Sequence, residues 1–168
     1  MEIRTAASFL RYYEHVRERT MRVVESIPAD RVEWTCSAGQ FTLGDLARHL
    51  ATTERYVFAE CVAGRPNRYP GCGRDLADGL DEVLALMRRL HAQSVEIFAA
   101  LNDDDLAARR ATPEGQPVTT WKLLRGMVEH EIHHRGQIYV YLGILGVAAP
   151  SLYGLTAEQV RALSVEPA

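Results

Sequence analysis

The sequence has few cysteines, no long apolar run and no excess of basic charge. Its three cysteines, Cys36, Cys61 and Cys72, are odd in number and form no CxxC pair, which argues against both a disulfide framework and a thiolate zinc cluster. Nowhere do about 18 apolar residues follow one another, so no membrane-spanning helix is predicted. A net charge of -3 offers no polycationic surface for nucleic acid. We therefore expect a soluble cytoplasmic protein with neither a nucleic-acid nor a membrane partner.

The size and composition are those of one ordinary domain. The chain has 168 residues, of which 47% are hydrophobic and 24% are charged, and this length is sufficient for a real hydrophobic core. No internal repeat or low-complexity segment indicates a second unit. The prediction is a single domain over residues 1–168.

Apolar residues recur at helical spacing in four long segments, and no convincing alternating strand pattern is found. The predicted helices run from about Thr5 to Ile27, Thr42 to Ala63, Leu76 to Leu101, and Thr119 or Thr120 to Gly146, with a short last helix from Thr156 to Leu163. The acidic run at 102–106 is interpreted as a solvated turn, and residues 111–119 as a loop. Four amphipathic helices with long connections predict an all-α four-helix bundle with crossover connections.

Two histidines interrupt the apolar stripe of the last long helix. His130 and His134 are four residues apart, so both rings lie on one helical face about a turn from each other. Imidazoles in a core need polar partners, and a divalent cation satisfies both rings. Because a catalytic metal site usually takes three protein ligands, a third residue is expected from a neighbouring helix. His49, in line with the apolar face of the second helix, has a better pattern for this role than His91.

The segment HEIHH also matches the H-E-x-x-H motif of zinc peptidases, in which Glu131 would be the general base. The longer metzincin form of the motif fails at Gln137 and Val140, although Glu158 stays available as a third ligand. Such peptidases align their substrate along a sheet edge, and no sheet is predicted here. His133 is expected beside the site or on the surface, since it lies about 100 degrees round the helix from His134. A further alternative has the core histidines bonded to the backbone or to acids without metal.

Two segments, GDLARHL (44–50) and VEHEIHHRGQIYVYLGILG (128–146), resemble the DinB-like (damage-inducible, YfiT-related) metal-binding four-helix-bundle family. The most specific features are the single histidine of the second helix and the run H-x-x-x-H-R-G-Q. In that family the corresponding histidines bind a divalent metal, so the resemblance implies that His49, His130 and His134 hold one here. It also implies long crossover loops and a homodimer.

The function implied by this resemblance is a metal-dependent enzyme. Family members of known activity are S-transferases or isomerases that use low-molecular-weight thiols such as bacillithiol or mycothiol. The expectation is therefore an S-transferase that holds a small thiol as thiolate and directs it at a small electrophile. Nitrogen ligands suit several transition metals, of which we favour Zn or Ni.

Two other functions stay open at this point. One is a hydrolase of a small amide or ester that uses a metal-activated water. The other is a non-catalytic bundle, stabilised by its metal, that serves in a stress response or an interaction. Cys72, which lies between two glycines in a loop, is a weaker candidate for a nucleophile.

Overall fold

The computed structural model describes residues 3–165, and its architecture is the predicted all-α bundle. Four long helical segments form it: α1 (Ala6–Val24), α2 (Leu43–Thr53) with its continuation α3 (Ala59–Val62), α4 (Leu80–Ala99) and α6 (Thr120–Ile144). The short helices α5 (Asp103–Ala107) and α7 (Ala157–Leu163) follow α4 and α6. Single 3-10 turns lie at Ala29–Arg31 and Arg74–Leu76. None of the helices in residues 3–165 combines the length and the apolar character needed to cross a bilayer.

Local signals set the helix starts close to where they were predicted. The Thr5 side chain accepts a hydrogen bond from the Ser8 backbone, and Thr42 forms a reciprocal capping box with Asp45. The third long helix, α4, begins at Leu80, whereas Leu76 was predicted. Gly79 precedes it with a φ of 81°, a backbone conformation that an α-helix does not include.

A π-helical turn at Glu54–Phe58 separates α2 from α3, whereas one uninterrupted second helix was predicted. The turn takes up an extra residue, so the buried stripe resumes at Ala59, Cys61 and Val62. Val57, predicted on the apolar face, is only half-buried for the same reason. Glu54 at the start of the turn faces inward and is 2% exposed.

Two predictions for the segment between α4 and α6 were wrong. A two-stranded antiparallel sheet, β1 (Arg109–Ala111) and β2 (Pro117–Thr119), forms where only a loop was expected. Strands of three residues are too short to show alternation, and Gly115, with a φ of 81°, makes the turn between them. The acidic run forms helix α5, because the Asn102 side chain and Asp105 make a second capping box.

The hydrophobic core has two clusters with a polar layer between them. One cluster includes Val23 of α1, Leu90 of α4 and Ile138 of α6. The other includes Phe9, Phe98 and Leu124 of the same three helices. Between the clusters each long helical segment contributes a polar side chain: Arg17, Glu54, His91 and Glu131. The predicted ligand histidines lie at the same level of the bundle.

Candidate metal centre

The three histidines predicted as metal ligands converge where α2 contacts α6. The ring centroid of His49 lies 5.0 Å from that of His130 and 4.7 Å from that of His134. The two rings of α6 are 4.4 Å apart, as expected for residues one turn apart on the same face. One nitrogen of each ring lies within 4.8 Å of the other two, and no second group of this kind occurs among residues 3–165.

The shortest approach joins His49 Nε2 to His130 Nε2, at 3.0 Å. Two nitrogen lone pairs this close repel each other unless a proton or a cation lies between them. Burial, with His134 nearby, lowers the pKa of His49 to about 4 and that of His130 to about 3. Both rings are therefore neutral at neutral pH. A single shared hydrogen or a metal cation can then satisfy the pair.

The Nδ1 atoms of His134 and His49 are hydrogen-bonded to oxygens, which orients these two rings. His134 Nδ1 lies 2.7 Å from Gln137 Oε1, an acceptor, so Nδ1 carries the proton and Nε2 keeps its lone pair. His49 Nδ1 lies 2.7 Å from the Tyr69 hydroxyl and 3.3 Å from Thr53 Oγ1. Metal-binding histidines typically donate their second N–H in this way. Sequence reasoning gave no role to Gln137 and did not consider Tyr69.

Tyr69 reaches His49 because a buried arginine holds the connection between α3 and α4. Arg48 is fully buried and donates from Nε to the Cys72 carbonyl at 2.8 Å and from Nη1 to the Ala77 carbonyl at 2.9 Å. Two carboxylates, at 2.8 and 2.9 Å, balance its charge: Glu33 and Asp45. Because Arg48 directly precedes His49, the same turn of α2 positions the loop and the histidine.

The donor set fits a divalent transition metal. Metal–nitrogen bonds of about 2.0–2.1 Å place neighbouring ligand nitrogens roughly 2.8–3.4 Å apart, for bond angles from 90 to 109 degrees. The 3.0 Å between His49 Nε2 and His130 Nε2 lies within that range. Three neutral imidazoles leave the full double charge on the cation and leave coordination positions for other ligands.

A cavity of about 260 Å³ adjoins His134. None of its other lining residues is charged: Gly39, Gln40, Phe41, Leu46, Gln137 and Tyr141. Phe41 and Tyr69 pack against His49 with centroid distances of 5.5 and 5.7 Å, and both are exposed to solvent. The site therefore opens to solvent beside an uncharged and partly aromatic surface.

Comparison with known proteins identifies the family of the chain. The model of the DinB family matches residues 1–166, which is nearly the whole chain. The chain belongs to the DinB family. The uncharacterized protein YrdA of Bacillus subtilis is 22% identical over 170 residues, covering 96% of each chain.

Solved structures of DinB-like proteins share the fold. A protein from Bacillus cereus matches with a TM-score of 0.76 and 21% identity over 89% of this chain and 99% of its own. YjoA from Bacillus subtilis matches with a TM-score of 0.69 and 22% identity, over 86% and 96% of the two chains. The mycothiol-dependent maleylpyruvate isomerase matches with a TM-score of 0.63 and 12% identity, over 79% of this chain and 60% of the isomerase.

Glu131 does not join the histidines, although it lies inside the H-E-x-x-H pattern. Its side chain is 2% exposed and faces α1, where its Oε2 accepts a hydrogen bond from the Tyr13 hydroxyl at 2.8 Å and lies 3.1 Å from Arg17 Nη2. A carboxylate held in this way does not serve as the general base of a peptidase site. Glu158, the other acid considered for such a site, is exposed on α7 and outside the histidine group.

The other predicted candidates lie outside the group as well. His133 is exposed beside His134. His91 also lies outside the group, and its Nδ1 lies 2.8 Å from Glu54 Oε1. Burial raises the pKa of the Cys72 thiol, which disfavours the thiolate that a nucleophile needs.

Proposed function

We propose that this chain is a divalent-metal-dependent S-transferase that joins a low-molecular-weight thiol to a small electrophile. The observation that carries the proposal is the convergence of ring nitrogens of His49, His130 and His134, the last of which lines an open cavity. Zn or Ni is the favoured cation, since nitrogen ligands suit both. When bound, the cation supplies the positive charge that ionises a coordinated thiol.

The side chains around the histidines have separate tasks in this proposal. Gln137 orients the ring of His134 and Tyr69 orients the ring of His49, each through a hydrogen bond at the ring Nδ1. The thiol proton would leave to solvent, because the histidine nitrogens that face the cation would hold the cation instead of a proton. Phe41 and the rest of the uncharged cavity lining favour an apolar electrophile beside the thiolate.

The fold neighbours support thiol chemistry without deciding it. One of them is a mycothiol-dependent isomerase, so this fold accommodates an enzyme that depends on a small thiol. The geometry of three histidines also suits activation of a water, which makes hydrolysis an outcome that the test must detect.

Metal content and thiol dependence together test the proposal. Elemental analysis of tag-free protein should find about one equivalent of transition metal, lost in His49→Ala and retained in His133→Ala. The metal-loaded protein should consume a chromogenic electrophile only when bacillithiol, mycothiol or N-acetylcysteine is added. Turnover of an ester without added thiol would instead indicate a hydrolase. Metal binding without either reaction would indicate a metal-stabilised, non-catalytic bundle, and wild-type protein that cannot be loaded would refute the metal centre.

We further propose that the chain forms a homodimer through the outer face of α6. Between 132 and 144 this face carries no acidic or basic residue apart from a histidine: Ile132, His133, Gly136, Tyr139, Val140, Gly143 and Ile144. Its four large apolar side chains are 38% to 60% exposed, which is unusual for a monomer surface. An uncharged face can pack against its own copy about a two-fold axis without charge repulsion.

Light scattering tests the homodimer. The wild type should have the mass of two chains, and Val140→Lys should have the mass of one. A wild-type protein with the mass of one chain at micromolar concentration would refute this interface.

A further inference from the structure

A second polar cluster lies in the core beside the histidines, and it includes residues from all four long helical segments. Arg17 Nη2 of α1 lies 3.1 Å from Glu131 Oε2 of α6 and forms an ion pair with Glu54 Oε2 at the π-helical turn. Tyr13 donates to the same Glu131 oxygen at 2.8 Å, and His91 of α4 bonds to Glu54 at 2.8 Å. We call these five residues the Arg17 cluster.

The cluster is more completely buried than the histidine group. The side chains of Arg17, Glu54 and Glu131 are only 2% to 4% exposed. Burial alone would lower the pKa of Arg17, but Glu131 and Glu54 more than offset this and raise it above its usual value. The guanidinium is therefore charged at every accessible pH, and it faces both carboxylates.

The cluster is a costly way to stabilise a core. Buried ion pairs often contribute no more stability than apolar residues of the same volume, because both partners lose their hydration. Here Arg17 Nε, Arg17 Nη1 and Glu131 Oε1 are buried without a hydrogen-bond partner in the described part of the chain. A gain in stability therefore does not explain why this cluster is buried. The position of the cluster beside the histidines indicates a different role.

Both carboxylates that Arg17 contacts belong to the helices that carry the histidines. Glu131 directly follows His130 on α6. Glu54 directly follows Thr53, whose Oγ1 lies 3.3 Å from His49 Nδ1. A single guanidinium thus connects α6 next to one histidine with the helical turn that contacts another.

We propose that Arg17 is a positioning residue of the metal centre: by bridging Glu54 and Glu131, it sets the separation of α2 and α6 at which His49 and His130 meet. Arg17 itself touches no histidine. This inference rests on the proposed metal site. It also assigns a role to the π-helical turn, which brings Glu54 inward to the bridge.

Two variants that keep the cluster's charge balanced test the proposal. Arg17→Lys keeps the positive charge but replaces the planar fork with one ammonium group, which spans two carboxylates poorly. The triple variant Arg17→Met, Glu54→Gln and Glu131→Gln removes the bridge and leaves no buried charge uncompensated. Zn²⁺ affinity is measured by competition with a chromophoric chelator. We expect a Kd about 10- to 100-fold higher in both variants, the range found for residues that orient metal ligands.

A control separates positioning from general loss of stability. Val83→Ala removes a buried side chain of α4 from the cluster of Val23 and Leu90, away from the histidines. It should lower the unfolding midpoint and leave the Zn²⁺ Kd unchanged. A wild-type Kd in Arg17→Lys, or in the folded triple variant, would overturn the positioning role.

A second readout needs no metal. In the metal-free protein, the imidazole nitrogen resonances of His49 and His130 should shift in Arg17→Lys, because their 3.0 Å contact is altered. Unchanged resonances together with an unchanged Kd would reject the inference. Failure of the wild type to bind Zn²⁺ would reject the metal centre instead, so the two failures are distinguishable.

Discussion

The histidine group and the Arg17 cluster lie at the same level of the bundle, yet they satisfy opposite electrostatic requirements. The histidine group consists of three neutral rings whose ring nitrogens converge, and none of its side chains supplies a positive charge. The Arg17 cluster has two carboxylates, and the guanidinium of Arg17 already supplies their cation. The first group is half-exposed beside a cavity, whereas the second is sealed in the core. A polar group in a helical core is thus a candidate metal site when it has converging lone pairs and none of its own residues supplies a positive charge.

Removing the internal cation should have the largest effect. Arg17→Met leaves Glu54 and Glu131 buried without compensation, so we expect the free energy of unfolding to fall by about 3–5 kcal/mol. Urea denaturation of the metal-free protein measures this change. Arg11→Met, an exposed position on the same helix, should change stability by less than about 0.5 kcal/mol. Similar stabilities for the two variants would contradict the contrast between buried and exposed arginines.

Removing a histidine should abolish metal binding but leave the bundle folded. His130→Ala takes away one of three ligands, and we expect at least about 3 kcal/mol of lost Zn²⁺ binding, since structural zinc sites gain roughly 10–16 kcal/mol from four ligands. Competition with a chelator gives the affinity, and circular dichroism checks the helices. The exposed neighbour His133→Ala serves as the control and should bind normally. Equal loss in both variants would argue against the assigned ligand set.

Removing an orienting contact should have a smaller effect. Gln137→Ala deletes the acceptor 2.7 Å from His134 Nδ1, and Zn²⁺ affinity should fall about 10- to 100-fold. Gln137→Glu keeps an acceptor oxygen and should restore most of the affinity. If the alanine variant binds as tightly as the wild type, the Gln137 contact does not orient the ring for metal.

Acid should weaken the metal-free protein through its histidines. In the folded chain the pKa of His49 is about 4 and that of His130 about 3, below the 6.5 of the unfolded chain. The unfolded state therefore binds more protons, and stability present above pH 6.5 is lost as the pH falls towards these values. We expect a loss of about 1–2 kcal/mol from pH 7 to pH 5, after a discount for solvent screening of these partly exposed rings.

Urea denaturation at several pH values tests this dependence. The double variant His49→Gln and His130→Gln should show a flatter profile in the same interval. Because the double variant keeps every other titratable group, the difference between the two profiles reports the two histidines. An equally steep profile in the double variant would show that other groups cause the loss.

Much of the fold was predictable because the signals are local. Thr42 and Asp45 identify a helix start within four residues, and the apolar spacing of α6 extends over 25 residues. The two three-residue strands were missed because alternation needs a longer run. The π-helical turn was missed because hydrogen bonding and packing determine it, and no residue type marks it.

The candidate site was predictable to a similar extent. Spacing placed His130 and His134 on one face, the pattern of the second helix favoured His49 as the third ligand, and the family resemblance implied the same three residues. The contacts of Gln137 and Tyr69 were not foreseen, and neither was the role of Arg48 in holding the connection next to His49. Tyr69 is 20 residues from His49 in the chain and contacts it only because the connection folds back.

The all-α class, most helix starts and the pair of α6 histidines followed from residue patterns within a few turns of chain, where periodicity and capping act. Tertiary packing decided which polar residues share a partner. Arg17 and Glu131 are far apart in sequence, as are His49 and His130, and nothing along the chain specifies that each pair meets. Packing of the four helices determines those distances, because contact between side chains on different helices depends on how the helices lie against one another.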